Sequence, residues 1–324
     1  MSEGKLVVLG TGGTIAGRSA LAGDNVGYTA GEVGIDQLLA AVPGISHAAR
    51  GAVLVAEQVA NIDSKDMDSA VWMALARRCA HHLRDPSVRA VVITHGTDTL
   101  EETAWFLHQV LDTRSKPVVL TCAMRPATAL TPDGPQNLLD AVAVALTHGA
   151  RGVVSVAAGE LHGARQVQKV HPYRVNAFGS GDAGPLGWVE EGAVRLVQNW
   201  PVALDGKGFD AIKNVASEVA WPRVEIVLSH AGASGSMVDL LVRDGVHGLV
   251  VACTGNGTVH YALEQALLRA QAAGVRVVRA TRCGEGQVLP KRGDTMPHSQ
   301  GLSPVKARIS LMLELLQPAM KPAT

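Results

Sequence analysis

Hydroxyl and carboxylate side chains gather at three points of this chain. The first is Leu9-Gly10-Thr11-Gly12-Gly13-Thr14-Ile15-Ala16-Gly17. Glycines let a backbone come close to a small ligand, and a strand ending here would hold Thr14 at its mouth. The segment matches a dinucleotide fingerprint only in part. G-x-G-x-x-G anchored on Gly10 needs glycine where the chain has Ile15, and no Walker lysine follows. A tight strand-to-helix turn explains the same glycines.

The second point is Thr94-His95-Gly96-Thr97-Asp98-Thr99-Leu100-Glu101-Glu102. It reads as the start of a helix, whose first N–H groups favour anions. Thr99 and Glu102 fit a capping box, which leaves Thr97 and Asp98 beyond what capping needs. His95 has no partner in the sequence and reads as structural. The third point is Asn61-Ile62-Asp63-Ser64-Lys65-Asp66-Met67, where Ser64 suits the N-cap of a helix over 65–82. Residues 17–34 carry Gly17, Gly23, Gly27 and Gly31 around Tyr28. They read as a mobile lid with one aromatic, or as an ordinary surface loop.

A threonine hydroxyl is a weak nucleophile that works when a base stands close to it. Other chemistries are poorly represented. The chain has no HExxH, no G-x-S-x-G and no Cys/His metal spacing. No metal and no cofactor are expected. The residues alone point to an enzyme acting on a small polar substrate through a threonine.

The elements that must position these groups alternate. Apolar runs fall at Leu6–Leu9, Ala90–Thr94, Val118–Thr121, Val153–Val156, Val224–Leu228, Leu249–Cys253 and Val275–Val278. Runs apolar on both faces suit buried parallel strands. Helical patterns cover 65–82, 100–111, 135–148, 236–243, 259–273 and 304–316, with Pro135 and Pro304 suited to first helical turns. The fold class expected is α/β with mainly parallel sheets. Residues 190–222 break the pattern, with Asn199-Trp200-Pro201 and Asp205-Gly206-Lys207-Gly208, and read as an irregular strand pair plus linker. A larger N-terminal domain over 1–195, a linker over 196–221 and a smaller C-terminal domain over 222–324 are expected.

The chain has 324 residues, enough for about two domains. Its 29 Lys+Arg balance 29 Asp+Glu, so no global charge draws it to nucleic acid or to an anionic membrane. Five Trp, three Tyr and three Phe are too few for a base-stacking platform. No stretch approaches the ~18 apolar residues of a membrane span, and the N-terminus shows no secretory signal. Cys79, Cys122, Cys253 and Cys283 form no CxxC pair. A cytoplasmic protein with reduced thiols is expected.

Taken together, these segments resemble the bacterial L-asparaginase family. GTGGTIAG (10–17) and HGTDTLEETAWFL (95–107) are similar to the two family signatures. AMRPATALTPDGPQNLLDAV (123–142), GPLGWVEEG (184–192), TGNGTV (254–259) and LSPVKARISLML (302–313) resemble further family stretches in the same order. The resemblance spans nearly the whole chain. It implies two α/β domains, a homotetramer built as a dimer of dimers, and hydrolysis of L-asparagine to L-aspartate and ammonia through an acyl-enzyme, without metal or cofactor.

Residue by residue, the resemblance makes Thr14 the nucleophile and Tyr28 the lid tyrosine. Thr97, Asp98 and Lys169 become a Thr–Lys–Asp group. Ser64, with Asp63 and Lys65 beside it, would hold the substrate's α-carboxylate, and Asp98 its α-amino group. Ala123 would offer a backbone carbonyl near the amide. Asn256 and Thr258 would reach the site from a neighbouring subunit. The chain departs from the family at Lys65, where Gln or Glu is usual, and at Thr258, where Asn or Ser is usual. The family's glutamate from a neighbouring subunit has no clear counterpart, with Glu285 and Asp294 as candidates. Two other readings keep the fold: a glutaminase–asparaginase of broad amide specificity that also takes L-glutamine, and a non-catalytic amino-acid-binding regulator. A transfer-RNA-linked amidotransferase subunit would be expected to carry an added N-terminal domain.

Overall fold

The computed structural model describes residues 4–21, 23–202 and 221–316. The chain divides into two units between residues 213 and 214, a point outside the described residues. Most of the linker expected over 196–221 also lies outside them.

In chain order the first unit holds β1 (Lys5–Gly12), β2 (Arg18–Ser19), β3 (Tyr28–Thr29), α1 (Ile35–Ala40), α2 (Ile45–Ala48) and β4 (Val53–Ile62). Next come α3 (Ser69–Arg84), β5 (Val88–Thr94), α4 (Leu100–Val110), β6 (Val118–Thr121), α5 (Gly134–Ala145) and β7 (Val153–Ala157). The unit closes with β8 (Glu160–Gly163), β9 (Gln168–Lys169), β10 (Phe178–Gly179), β11 (Gly187–Glu190) and β12 (Ala193–Leu196).

Eight strands form one sheet in the order β12-β11-β8-β7-β6-β5-β1-β4. β4, β1, β5, β6 and β7 run parallel, and β8, β11 and β12 add an antiparallel edge. The central strands are buried on both faces, as their continuous Val/Leu/Ile runs require. Leu6, Val8, Ala90, Val92 and Val119 form one core with Ile35, Leu38, Leu138, Ala141 and Val142 of α1 and α5. On α3 and α4, Trp72 and Phe106 stack at 5.1 Å between ring centroids.

In the second unit, β13 (Val224–Leu228), β14 (Gly248–Cys253) and β15 (Arg276–Thr281) form a parallel sheet. α6 (Ser236–Arg243), α7 (Tyr261–Ala272) and α8 (Pro304–Leu316) accompany it. Val251, Cys253, Leu263, Leu267 and Val277 share its core.

Every apolar run read as a strand is one. Four expectations are corrected. β4 was not foreseen: VLVAEQVANI is the outer strand of the sheet, half-buried and broken by Glu57, Gln58 and Asn61, so it shows no apolar run. The helix expected over 65–82 begins only at Ser69, where the Asp68 side chain accepts from the Val71 N–H at 2.8 Å. Residues Ser64–Asp66 make a separate 3-10 turn, because Met67 is extended and interrupts the helix. The capping box at Thr99 is not formed: Thr99 caps α4 without a side-chain bond, and its hydroxyl donates to the Ser64 carbonyl at 2.8 Å. Finally, the strand pair expected after 190 is an ordered hairpin that starts earlier, at Gly187.

Candidate active site

Four consecutive strands, β4-β1-β5-β6, end on the same side of the sheet. Their registers end in step: Gly12 of β1 faces Ile62 of β4, Gly10 faces Thr94 of β5, and Thr94 faces Thr121 of β6. The residue just past each end is therefore placed in a row. Ser64 follows β4, Thr14 follows β1, Thr97 and Asp98 follow β5, and Ala123 follows β6. Ligands of open α/β sheets bind at this edge.

The row is drawn tight by small residues. Gly12 and Gly13 have φ of 97° and 81°, a region that favours glycine. A Cβ on Gly13 would lie 2.3 Å from the Gly96 Cα, and one on Gly96 would lie 2.4 Å from Ser64 Oγ. The Thr11 hydroxyl donates to the Thr94 carbonyl at 2.9 Å and ties the two strand ends. Thr14, Ser64 and Thr97 are all buried.

Within this row, Thr14 Oγ1 and Tyr28 Oη share a hydrogen bond of 2.5 Å. Tyr28 reaches it from β3, which pairs with β2 as a small hairpin. Its ring lies against Gly17, where a Cβ would come within 2.8 Å of Tyr28 Cδ2. Lys169 arrives from β9. Its ammonium donates to Thr97 Oγ1 at 2.8 Å and to Asp98 Oδ1 at 2.6 Å. An ammonium has donors only, so the Thr97 hydroxyl, accepting from Lys169, has its own proton turned to another partner. Glu101 of α4 accepts from the Lys169 N–H at 3.5 Å.

Ser64 Oγ accepts from the Asp98 N–H at 3.1 Å. Asp63 caps the turn through the Lys65 N–H at 3.2 Å. The Lys65 ammonium sits 3.0 Å from Asp63 Oδ2 and 3.0 Å from Asp66 Oδ2, with its side chain exposed. Both carboxylates hold it more basic than an ordinary lysine.

His95 is fully buried. Its Nδ1 meets the Gly96 carbonyl at 2.7 Å, and burial pulls its pKa down to about 4. It is neutral at pH 7 and belongs to the scaffold. Burial pushes the Cys122 thiol far up, away from thiolate chemistry.

Two supporting residues were missed from sequence. Asp133 accepts from the Met124 and Arg125 N–H groups at 2.9 Å each, and Asn137 donates to the Cys122 carbonyl at 2.9 Å. Together they fix the segment that carries Ala123. Their sequence signals were the helix start at Gly134-Pro135 and their place in the 123–142 stretch that resembles the family.

Asn256 and Thr258 lie in the second unit. Asn256 Oδ1 accepts from the Leu289 N–H at 2.7 Å, and Thr258 pairs with Thr254 through both backbone and hydroxyl. Asp294 forms an ion pair with Arg279 at 2.8 Å and accepts from the Lys291 N–H at 3.0 Å, so its carboxylate serves its own unit. Glu285 is exposed. Among the described residues no group of three or more His, Cys, Asp or Glu is placed to hold a metal ion, and no helix is long and apolar enough to cross a membrane.

The family model "Asparaginase, N-terminal" matches residues 5–202, and "Glutaminase/Asparaginase C-terminal domain" matches 223–323. An L-asparaginase 2 of Bacillus subtilis is 36% identical over 313 residues, covering 95% of this chain and 81% of its own. A glutaminase-asparaginase of Pseudomonas fluorescens is 36% identical over 320 residues, covering 96% and 86%. The crystal structure of a probable cytoplasmic L-asparaginase from Campylobacter jejuni superposes with a TM-score of 0.89 at 37% identity, covering 97% of this chain and 96% of that one. With both family models matched in order and relatives of this similarity along nearly its full length, the chain belongs to the asparaginase family.

Proposed function

We propose that this chain is an amidohydrolase that converts L-asparagine to L-aspartate and ammonia with Thr14 as nucleophile. The observation that carries the reading is the 2.5 Å Thr14–Tyr28 hydrogen bond on the same strand edge as the Lys169–Thr97–Asp98 group. In the first step Thr14 Oγ attacks the side-chain amide carbon. Its proton passes to the Tyr28 oxygen as the phenol proton goes to the departing nitrogen. The C–N bond breaks, an ester to Thr14 forms, and ammonia leaves. Backbone N–H groups of the glycine-rich turn stabilise the oxyanion. In the second step water adds to the ester carbon, its proton returns to Thr14 Oγ through the Thr97–Lys169 relay, and L-aspartate is released.

Substrate orientation comes from fixed partners at both ends of a zwitterion. Asp98 takes the α-ammonium, and Ser64 with the turn at Asp63 and Lys65 takes the α-carboxylate. The Ala123 carbonyl accepts from the amide nitrogen. The relatives named above include both asparaginases and glutaminase-asparaginases. Ammonia release from L-asparagine and L-glutamine, measured side by side, tests the reading. A kcat/KM for L-glutamine equal to or above that for L-asparagine would move it to the broad-specificity class. Release from neither would leave an amino-acid-binding protein.

The domain limits 1–195 and 222–324 and a homotetramer built as a dimer of dimers go with this reading, with Asn256 and Thr258 lent to a neighbour's site. Ile226, Leu228, Met237, Leu240 and Tyr261 of the second unit are exposed, and assembly would cover them. A fully active monomer in sedimentation would contradict it. A cytoplasmic location also belongs to the proposal, supported by the four free cysteines.

A further inference from the structure

We propose that the first unit holds a second ligand site, apart from the hydroxyl row, that takes a small aliphatic diammonium compound. A cavity of about 1160 Å³ opens between α2, α5 and the β11–β12 turn. Thr14, Ser64, Thr97, Asp98, Ala123 and Lys169 do not line it. Its volume lies just above the ~300–1,000 Å³ of most small-molecule pockets.

The α5 wall carries the motive. Asp133, Gln136, Asp140 and Ala143 recur at helical spacing and line the cavity together. Asp140 is only 4% exposed. Its Oδ1 accepts from Gln136 Nε2 at 2.8 Å, and its carboxylate takes no other hydrogen bond among the described residues. Burial holds its pKa above the ordinary carboxylate range. A buried carboxylate without a cation is costly, and a ligand ammonium entering the cavity would relieve it.

A second carboxylate lines the same cavity. Glu191 stands at the tip of the β11–β12 turn, exposed, with φ of 48°. The other ionisable groups on the wall are His47, Arg50, Asp133 and Glu190. Glu190 binds Arg195 at 2.6 Å, Arg50 donates to the Gly192 carbonyl at 2.9 Å, and Asp133 holds the Met124 and Arg125 N–H groups. Asp140 and Glu191 therefore remain as acceptors for two positive ends. Leu139, Val175 and Val189 line the space with apolar surface suited to methylenes. The donor set suits an organic cation rather than a metal, since no metal-holding cluster exists among the described residues.

The test is calorimetric titration of the full-length protein with 1,4-diaminobutane at pH 8 and low salt, with 1,4-butanediol and succinate as matched neutral and anionic probes. One saturable site is expected for the diamine, with a Kd at or below about 1 mM, and none for the diol or succinate. Asp140→Asn is expected to weaken the diamine at least ~10-fold, and Glu191→Gln ~3-fold. Ammonia release from L-asparagine is expected to stay within ~2-fold of wild type in both variants. If Asp140→Asn does not fold, the exposed Glu191→Gln variant carries the test. Absence of saturable diamine binding up to ~10 mM, equal affinity in a folded Asp140→Asn protein, an unchanged Kd in Glu191→Gln, or equal binding of the diol would overturn the site. A cavity closed by a second copy of the chain would give the first of these results.

Discussion

Gly13 and Gly96 touch backbone to backbone. A methyl group added to Gly13 would lie 2.3 Å from the Gly96 Cα, and one added to Gly96 would strike Ser64 Oγ at 2.4 Å. Each glycine immediately precedes a threonine, Thr14 or Thr97. The contact thus brings together two segments that the strand register has already placed side by side. Gly96→Ala is expected to push the β5 end away from Ser64 and Gly13. A loss of about 1–3 kcal/mol in stability follows from such overpacking, with a larger loss of ammonia release. Denaturant unfolding and turnover, measured on the same preparation, check both. A variant with wild-type stability and rate would mean that the approach does not set the site.

Thr14→Ala is expected to remove turnover by several orders of magnitude while leaving the fold intact, because groups acting as a unit fail together. Tyr28→Phe keeps the ring against Gly17 but deletes the oxygen 2.5 Å from Thr14 Oγ1. Loss of a proton-transferring group costs about 10²–10⁴ in rate. A Tyr28→Phe enzyme with unaltered kcat would remove Tyr28 from the proton path. Near-normal ammonia release by folded Thr14→Ala protein would end the nucleophile assignment.

Lys169→Met and Asp98→Asn are expected to part company in their kinetics. Lys169 meets Thr97 and Asp98 but, in the proposed reaction, moves protons only, so its loss lowers kcat by about 10²–10⁴. In the same proposal Asp98 also binds the substrate ammonium, so its loss lowers kcat and raises KM. Steady-state kinetics on L-asparagine separate the two. Wild-type kcat in Lys169→Met at neutral pH would sink the Thr97–Lys169–Asp98 group.

The legible parts of this fold share a physical cause. Leu6–Leu9, Ala90–Thr94 and Val118–Thr121 are buried on both faces, so their composition announces them. β4 does not, because an outer strand with Glu57 and Asn61 mixes both faces. Thr14, Ser64, Thr97 and Asp98 were visible as excess hydroxyls and acids at strand ends. Lys169 was visible only through family resemblance: it is 72 residues from Thr97, and its own neighbours carry no periodic signal. Thr99 misled for a different reason. The capping box is a local rule, and the Ser64 carbonyl 35 residues away made a competing claim on the hydroxyl. Asp133 and Asn137 act on the backbone of other segments, a role that residue type and local spacing do not encode.

His95 predicts how the protein responds to acid. Its folded pKa is about 4, against 6.5 for an ordinary histidine, because burial disfavours the imidazolium. Between these values the unfolded chain binds a proton that the folded chain refuses. Stability therefore falls as pH drops from about 6.5 toward 4, by about 2–3 kcal/mol at pH 4.5. His95→Gln, which does not titrate, is expected to be less stable than wild type at pH 7.5 yet lose less stability on acidification. Melting temperatures of both proteins across that range provide the check. Parallel pH profiles would show that the imidazole does not carry the acid response.

Lys65 tests whether the turn beside Ser64 tunes specificity. It follows Ser64, and its ammonium bridges Asp63 and Asp66 at 3.0 Å each. That bridge holds the carboxylate of Asp63 close to the place proposed for the substrate's own α-carboxylate, and keeps a positive charge beside both. The lysine and its two partners are exposed, so solvent screens each pair and it contributes little. The expected effect of Lys65→Gln is correspondingly small. Removing the cation loosens the turn and leaves Asp63 without its counter-ion, which weakens the fixed grip on the substrate backbone. The longer L-glutamine gains from that freedom, and L-asparagine loses from it. The ratio of kcat/KM for L-glutamine over L-asparagine is therefore expected to rise by about 2- to 5-fold, which corresponds to ~0.4–1 kcal/mol. Raising the ionic strength screens an exposed bridge, so high salt is expected to move the wild-type ratio in the same direction and leave Lys65→Gln nearly unchanged. A ratio that stays within about twofold of wild type, a difference under ~0.4 kcal/mol, would show that Lys65 is a solvated residue of the turn with no part in substrate choice.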